Sequence, residues 1–277
     1  MLKRLPKPAV KRLPLNTKGK DLIVGDIHGM FDLVLRAMEK MNFDQSRDRL
    51  ISVGDLIDRG PGSHRTAKFL SCSFVEAVLG NHEGMLLEAY QGGDAHPAVL
   101  EFLHSRNGFE WWRDTPDELR SDILDALWKL PLALEIETDR GLVGVVHADV
   151  PRGMSWQAFT GALEAGDADV AECALWGRDR IHKLDESGVQ GIGRIYVGHT
   201  PLRRVAKLGN VVALDTGGVF GLGREEGALT ALDIATGTME IRTVHSMMRP
   251  DDLVFSGPVG DAPDTAFSFE SVGMRHG

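Results

Sequence analysis

The sequence predicts an α/β fold whose parallel strands open onto one crevice, and two observations carry that prediction. From Asp21 to Leu79, apolar runs alternate with helix-period segments in the order β-α-β-α-β, which gives parallel strands joined by right-handed crossovers. In addition, five motifs rich in metal-type ligands each follow an apolar run of strand length. The runs are Leu22-Ile23-Val24, Leu50 to Val53, Phe74 to Leu79, Leu142 to Val146 and Ile195-Tyr196-Val197. The motifs are Gly25-Asp26-Ile27-His28-Gly29, Gly54-Asp55-Leu56-Ile57-Asp58-Arg59-Gly60, Gly80-Asn81-His82-Glu83, Val146-His147-Ala148 and Gly198-His199-Thr200. Residues just past the carboxyl ends of strands in an open α/β sheet converge on one crevice.

Residues 1–20 carry only basic charges (Lys3, Arg4, Lys7, Lys11, Arg12, Lys18, Lys20) broken by three prolines. They read as a solvated basic arm that partly packs on the domain. The main unit is expected over residues 21–249. After His28, the apolar residues Met30, Leu33, Val34, Ala37, Met38 and Met41 fall at helical spacing. Pro61-Gly62-Ser63 opens a second helix reaching about Leu70. From Glu83 to Leu132 the chain is helical and mixed, with Trp111-Trp112 and other apolar anchors read as core filling. Pro131 precedes a strand from Ala133 to Ile136, which pairs with Leu142 to Val146 across Thr138-Asp139-Arg140-Gly141. After His199, short β signals at Val211 to Leu214, Ala228 to Ile234 and Met239 to Val244 suggest a second sheet. Residues 250–277 read as a polar, loosely held tail.

Composition narrows the class. With 277 residues, 43% hydrophobic and 26% charged, the chain can bury an ample core. A formal charge of −9 argues against a general nucleic-acid binder, while a single phosphate can still be held by local cations. Two cysteines, Cys72 and Cys173, exclude a disulfide framework. There is no signal-peptide pattern and no run of the ~18 apolar residues that a membrane span needs. A cytoplasmic location without membrane attachment is the expectation.

Two Asp, one Asn and three His gathered in one crevice can hold two divalent cations about 4 Å apart, an arrangement suited to phosphate-ester hydrolysis. Asp55 is placed to bridge them, because a shared carboxylate offsets the repulsion of two dications. Asp26 and His28, alternate residues on an extended segment, can face one ion, while Asn81, His147 and His199 offer O and N donors to the other. This mixed donor set suits Mn²⁺, Fe or Zn²⁺ better than Ca²⁺. Paired cations also supply hydroxide near neutral pH for in-line attack on phosphorus.

The charge on the phosphoryl oxygens needs cations, and the planar fork of Arg59 can hold two of them. Arg178, in Leu175-Trp176-Gly177-Arg178, is the candidate second clamp, with Arg180 as the alternative. His82, next to Asn81, would as an imidazolium protonate the leaving oxygen, with Asp58 holding its pKa up. Asn81 and His82 thereby also border the bound phosphate. The other histidines (His64, His96, His104, His182, His245, His276) read as surface or structural, and Asp215 as a turn or supporting residue.

These motifs resemble the phosphoprotein phosphatase family within the calcineurin-like metallophosphoesterases, in particular its compact bacterial and phage serine/threonine phosphatases. The resemblance runs from about Leu22 to Ala235. It implies a four-layer α/β/β/α sandwich with two mixed β-sheets. It also implies that Asp26, His28 and Asp55 bind one metal, that Asp55, Asn81, His147 and His199 bind the other, and that the pair is usually Mn²⁺. His82 would be the general acid supported by Asp58, with Arg59 and Arg178 on the phosphate. Phosphoserine and phosphothreonine proteins are the implied substrates, with no obligatory regulatory subunit.

His147-Ala148-Asp149 stands where the family has His-Gly-Gly or His-Ala-Gly, so Asp149 is expected to approach the site and alter substrate preference. Two other readings stand beside this one. Symmetrical dinucleoside tetraphosphatases share most of the metal motifs but commonly carry Ala at the position of Asp58. The other is a catalytically silent phosphate-binding scaffold.

Overall fold

A computed structural model describes residues 5–91, 95, 97–221, 227–235 and 242–245. In chain order the elements are β1 (Val10–Leu13), β2 (Asp21–Val24), α1 (Phe31–Lys40), β3 (Arg49–Ser52), α2 (Thr66–Leu70), β4 (Val75–Ala77) and α3 (Asn81–Ala89). Next come α4 (Pro97–Asn107), α5 (Glu110–Arg113), α6 (Asp117–Leu127), β5 (Ala133–Thr138), β6 (Gly141–Val146), α7 (Trp156–Ala165), α8 (Ala168–Trp176) and α9 (Asp179–Lys183). The last described elements are β7 (Arg194–Val197), β8 (Ala206–Leu208), β9 (Val211–Ala213), β10 (Ala228–Asp233) and β11 (Arg242–His245).

The strands form two mixed sheets, in the orders β1-β5-β6-β7-β9-β8 and β11-β10-β2-β3-β4. As expected, β2, β3 and β4 are parallel, and β5 and β6 form an antiparallel hairpin. Strand alternation explains how the sheets stack. Ile23 and Ile51 pack with Leu134, Ile136, Val143, Val145 and Tyr196 in one cluster between the sheets. Their neighbours Leu22, Val24 and Leu50 face the other way, into the cluster that holds Leu33, Val34 and Met38 of α1. On the second sheet, Ile195 and Val197 belong to that outer cluster with Trp156, Phe159 and Leu163 of α7. Both sheets are thus covered on both faces, giving the α/β/β/α layering. All four residues of β2 are buried for that reason.

One expectation is corrected, that of a separate sheet after His199. Within the basic N-terminal stretch, Val10–Leu13 is an edge strand parallel to β5, with Val10 and Leu13 buried. Its cations run outward, Lys11 to Glu76 at 2.6 Å and Arg12 to Glu164 at 2.8 Å, so charge and strand coexist in four residues. The segments after His199 do not make a sheet of their own. β9 pairs with β7 in one sheet, and β10 pairs with β2 in the other. The tail at 250–277 and the start of the Met239 to Val244 segment lie outside the described residues, as do His96 and His276. Among the described residues, no helix is long and apolar enough to cross a membrane.

Candidate metal centre

The loops after β2, β3 and β4 approach those after β6 and β7 across the gap between the sheets. Seven described non-glycine residues have positive φ, and five are motif residues: His28, Asp55, Asp58, Arg59 and His199. Left-handed backbone costs roughly 1–3 kcal/mol at a non-glycine residue and gathers at functional sites. Close approach accounts for two glycines. A Cβ at Gly80 would collide with Asp55, and one at Gly198 would collide with the Asp26 carboxylate.

Asp55 lies at the centre. Its Oδ2 is 3.5 Å from His28 Nε2, and its Oδ1 is 3.3 Å from His147 Nε2. Asn81 Oδ1 lies 2.9 Å from His147 Nε2 and 2.8 Å from His199 Nδ1. Side chains of metal-ligating type form two groups, His28–Asp55–His82 and Asp55–His147–His199, with Asp55 common to both. Asp26 stands outside both groups. Its carboxylate accepts the His199 N–H at 3.0 Å and is hydrogen-bonded to Asp215, which also accepts Gly217 N–H at 2.9 Å. Asp215 is thus the supporting and turn residue expected.

The donor chemistry fits cations. His28 Nδ1–H donates to Ile57 O at 2.8 Å, and His147 Nδ1–H donates to Val53 O at 2.8 Å. In the neutral rings each Nε2 then presents a lone pair to an Asp55 oxygen, a repulsive contact that a cation between them makes favourable. Burial keeps the rings neutral, pushing His147 down to about 4 and His199 down to about 2. His28 is also well below its ordinary range, through burial and then the charge of Arg59. Burial raises Asp55 to about 7 and lifts Asp26 well above the carboxylate range. A buried acid set of this kind is stable as anions only beside positive charge.

His82 Nδ1 is 2.6 Å from Asp58 Oδ2, and Trp111 Nε1–H donates to Asp58 Oδ1 at 2.8 Å. Asp58 thus stands where it was expected, against the His82 ring. Burial, then the charges of His28 and Arg59, push His82 well below its ordinary value, while burial pushes Asp58 well up. The pair shares one proton across a short bond. With that proton on Asp58, the neutral ring carries its own proton on Nε2, which lies 4.0 Å from Asp55 Oδ2.

Two arginines flank the metal-type ligands. Arg59 Nη1 donates to His28 Nε2 at 2.9 Å and its guanidinium lies over the Phe220 ring. Arg178 Nε donates to His199 Nε2 at 3.1 Å. Arg180 does not reach the centre. It forms a buried pair with Asp149 at 2.8 Å, whereas Arg178 contacts His199. The same pair corrects the reading of Asp149. Its carboxylate is held by Arg180 and by Val150 N–H at 2.8 Å.

Sequence reasoning gave no role to Glu83 and read Trp111 only as core filling. Glu83 is fully buried, and its carboxylate accepts N–H groups from Asp55 (2.9 Å), Leu56 (2.7 Å), Ile57 (3.1 Å) and Gly80 (2.8 Å). The available signal was position: an acid three residues after the helix-capping Gly80 reaches back to the cap. Trp112 fills the core as expected, but Trp111 next to it spends its N–H on Asp58.

Comparisons with known proteins agree with this geometry. The family model for calcineurin-like phosphoesterases matches residues 21–164. The chain is 36% identical over 204 residues to serine/threonine-protein phosphatase 1 of Salmonella typhimurium, covering 72% of this chain and 87% of that protein. It is 31% identical over 275 residues to a symmetrical bis(5'-nucleosyl)-tetraphosphatase of Chromohalobacter salexigens, covering 80% and 97%. A protein serine/threonine phosphatase structure from Saccharomyces cerevisiae shares the fold at TM-score 0.56 and 16% identity, over 89% of this chain and 86% of that one.

Proposed function

The chain belongs to the calcineurin-like phosphoesterase family, and from that premise we propose that it is a dimetal phosphomonoesterase acting on phosphoserine and phosphothreonine in proteins. The observation that carries this reading is Asp55, whose two oxygens each face a different histidine group. Asp26, His28 and Asp55 would hold one ion, and Asp55, Asn81, His147 and His199 the other. Mn²⁺ suits that mixed O and N set. When bound, the ions supply an acidified water and offset charge on the phosphoryl group.

The protein's own groups do the rest. Arg59 and Arg178 stand on two sides of the centre, where guanidinium forks can orient a phosphoryl group and offset its charge. His82 offers its Nε2–H to the leaving oxygen, and Asp58 fixes the ring. Glu83 holds the backbone that carries Asp55. Two free cysteines, neither in a disulfide, are in keeping with a reducing, cytoplasmic setting.

The tetraphosphatase relative supports a second reading, hydrolysis of a dinucleoside polyphosphate. Charge beside the centre favours the first. The cleft next to Arg178 is lined by cations already paired: Arg180 with Asp149, Arg152 with Asp185 and Lys183 with Asp179. In that cleft a polyphosphate chain would find only Arg178 uncommitted to a carboxylate. The test is to compare a phosphothreonine peptide with a dinucleoside tetraphosphate, using one Mn²⁺-loaded preparation. Higher kcat/KM on the peptide is expected; higher kcat/KM on the tetraphosphate would overturn the protein-phosphatase reading.

A further inference from the structure

The His82–Asp58 pair has a third partner from another part of the chain. Asp58 lies on the loop after β3, whereas Trp111 lies in α5, within the helical stretch between β4 and β5. Asp58 is fully buried and both of its oxygens are engaged, Oδ2 by His82 Nδ1 at 2.6 Å and Oδ1 by Trp111 Nε1–H at 2.8 Å. An indole N–H donates and accepts nothing. It can therefore fix the plane of the carboxylate without taking part in the movement of a proton.

The same turn holds the next residue of the loop by its backbone. Arg59 N–H donates to Gly108 O at 2.9 Å. Gly108 has φ +71°, and a Cβ there would lie 2.7 Å from Arg59 Cα, so only glycine lets the two backbones meet. Asp58 and Arg59 themselves have φ of 72° and 67°, a left-handed backbone that persists only where its surroundings over-determine it. Those surroundings are firmly built. Phe109 and Trp112 are buried on either side of Trp111, whose ring stands 5.2 Å from that of Trp112, and Thr115 Oγ1–H donates to Trp111 O at 2.8 Å. Packing accounts for an aromatic ring at position 111. It does not account for the N–H, because a phenylalanine would fill the same space and leave the Asp58 oxygen without a donor.

We propose that Trp111 is a positioning residue whose N–H fixes the Asp58 carboxylate, so that Asp58 in turn holds the His82 ring with Nε2 toward the leaving oxygen. This rests on the phosphatase reading above. It assigns Trp111 no contact with substrate.

The test uses the full Mn²⁺-loaded chain and Trp111→Phe, which keeps an aromatic ring beside Phe109 and Trp112 and removes the N–H. On free phosphoserine kcat should fall about tenfold, the worth of a hydrogen bond to a charged group, with KM little changed. On nitrophenyl phosphate, whose leaving group departs without a proton, the loss should be much smaller. A change in metal loading would strike both substrates alike, so the ratio of the two losses isolates the proton donor. In a His82→Ala background Trp111→Phe should cost nothing further, because the ring it positions is gone. Equal losses on the two substrates, or an undiminished loss in the His82→Ala background, would overturn the proposal. Should Trp111→Phe not fold, benzothienylalanine at position 111 keeps the bicyclic shape with sulfur in place of the N–H, and the same split between substrates is expected. A wild type that turned over the tetraphosphate but neither monoester would fail the phosphatase reading first and take this inference with it.

Discussion

The loops after β2, β3 and β4 and the loops after β6 and β7 serve one centre but are held in different ways. The first three are fastened to each other through backbone. Ile27 and His28 both donate to Asp55 O, at 3.1 and 2.7 Å, Gly29 donates to Leu56 O at 2.7 Å, and Glu83 gathers four more N–H groups. The later pair is fastened mainly to the earlier set: His147 through Nδ1 to Val53 O, and His199 through its N–H to Asp26. Their one direct backbone link is Gly198 N–H to His147 O at 2.7 Å. The first half is therefore self-supporting, and the second takes its position from it. Changes in the first half should damage both metal positions, and changes in the second only one.

The sharpest way to break this comparison is Asp55→Ala, which removes the first-half residue shared by both groups of metal-type ligands. Turnover should be lost and both metal positions emptied or disrupted. Elemental analysis that still found two full equivalents would refute the bridging assignment.

His82→Ala comes next. The ring is joined to the first half through Asp58 and sits in the His28–Asp55–His82 group. Loss of a positioned proton donor should cost about 10²–10⁴-fold in kcat on an alkyl phosphate. The loss should be much smaller with a nitrophenolate leaving group, which departs without a proton. Equal losses on the two substrates would remove His82 from that role.

Glu83→Gln probes the self-support itself. A glutamine keeps one acceptor oxygen and turns an NH₂ toward two N–H groups that Glu83 now receives. Each buried donor left unpaired costs about 1–3 kcal/mol, readable as a lower denaturation midpoint. Metal affinity should weaken by roughly 10–100-fold, as when a group that orients a ligand is altered. Weakening confined to one of the two sites would show that the second half does not depend on the first.

How much of this was legible in the sequence follows the same division. Apolar runs ending in Gly-Asp-x-His, Gly-Asp-x-x-Asp-Arg or Gly-Asn-His announce both a strand and a ligand, so the loops after β2, β3 and β4 could be read directly. β1 could not, because in Val10-Lys11-Arg12-Leu13 the charges mask two buried positions whose partner, β5, lies more than a hundred residues away. Nor could the allocation of β9 and β10 to different sheets, which tertiary pairing decides and four-residue patterns do not encode. Glu83 was hidden in plain view beside Asn81 and His82, because its partners are backbone amides that carry no side-chain signature.

Arg178 and Arg180 show the limit of spacing most sharply. Two residues apart, one meets His199 and the other is buried against Asp149. Gly177 permits this: a Cβ there would press on the Cys173 carbonyl and the Asp149 side chain. Arg180→Ala should therefore act on stability more than on chemistry. It leaves the Asp149 carboxylate buried without its cation, which costs about 3–5 kcal/mol. Chemical denaturation should show that loss while kcat/KM on free phosphoserine falls by less than about tenfold. The double change Asp149→Leu with Arg180→Met should recover much of the stability, because replacing both partners strands no charge. A kcat/KM loss from Arg180→Ala as large as that from Arg178→Ala would place both arginines on the phosphate and erase the distinction drawn between them.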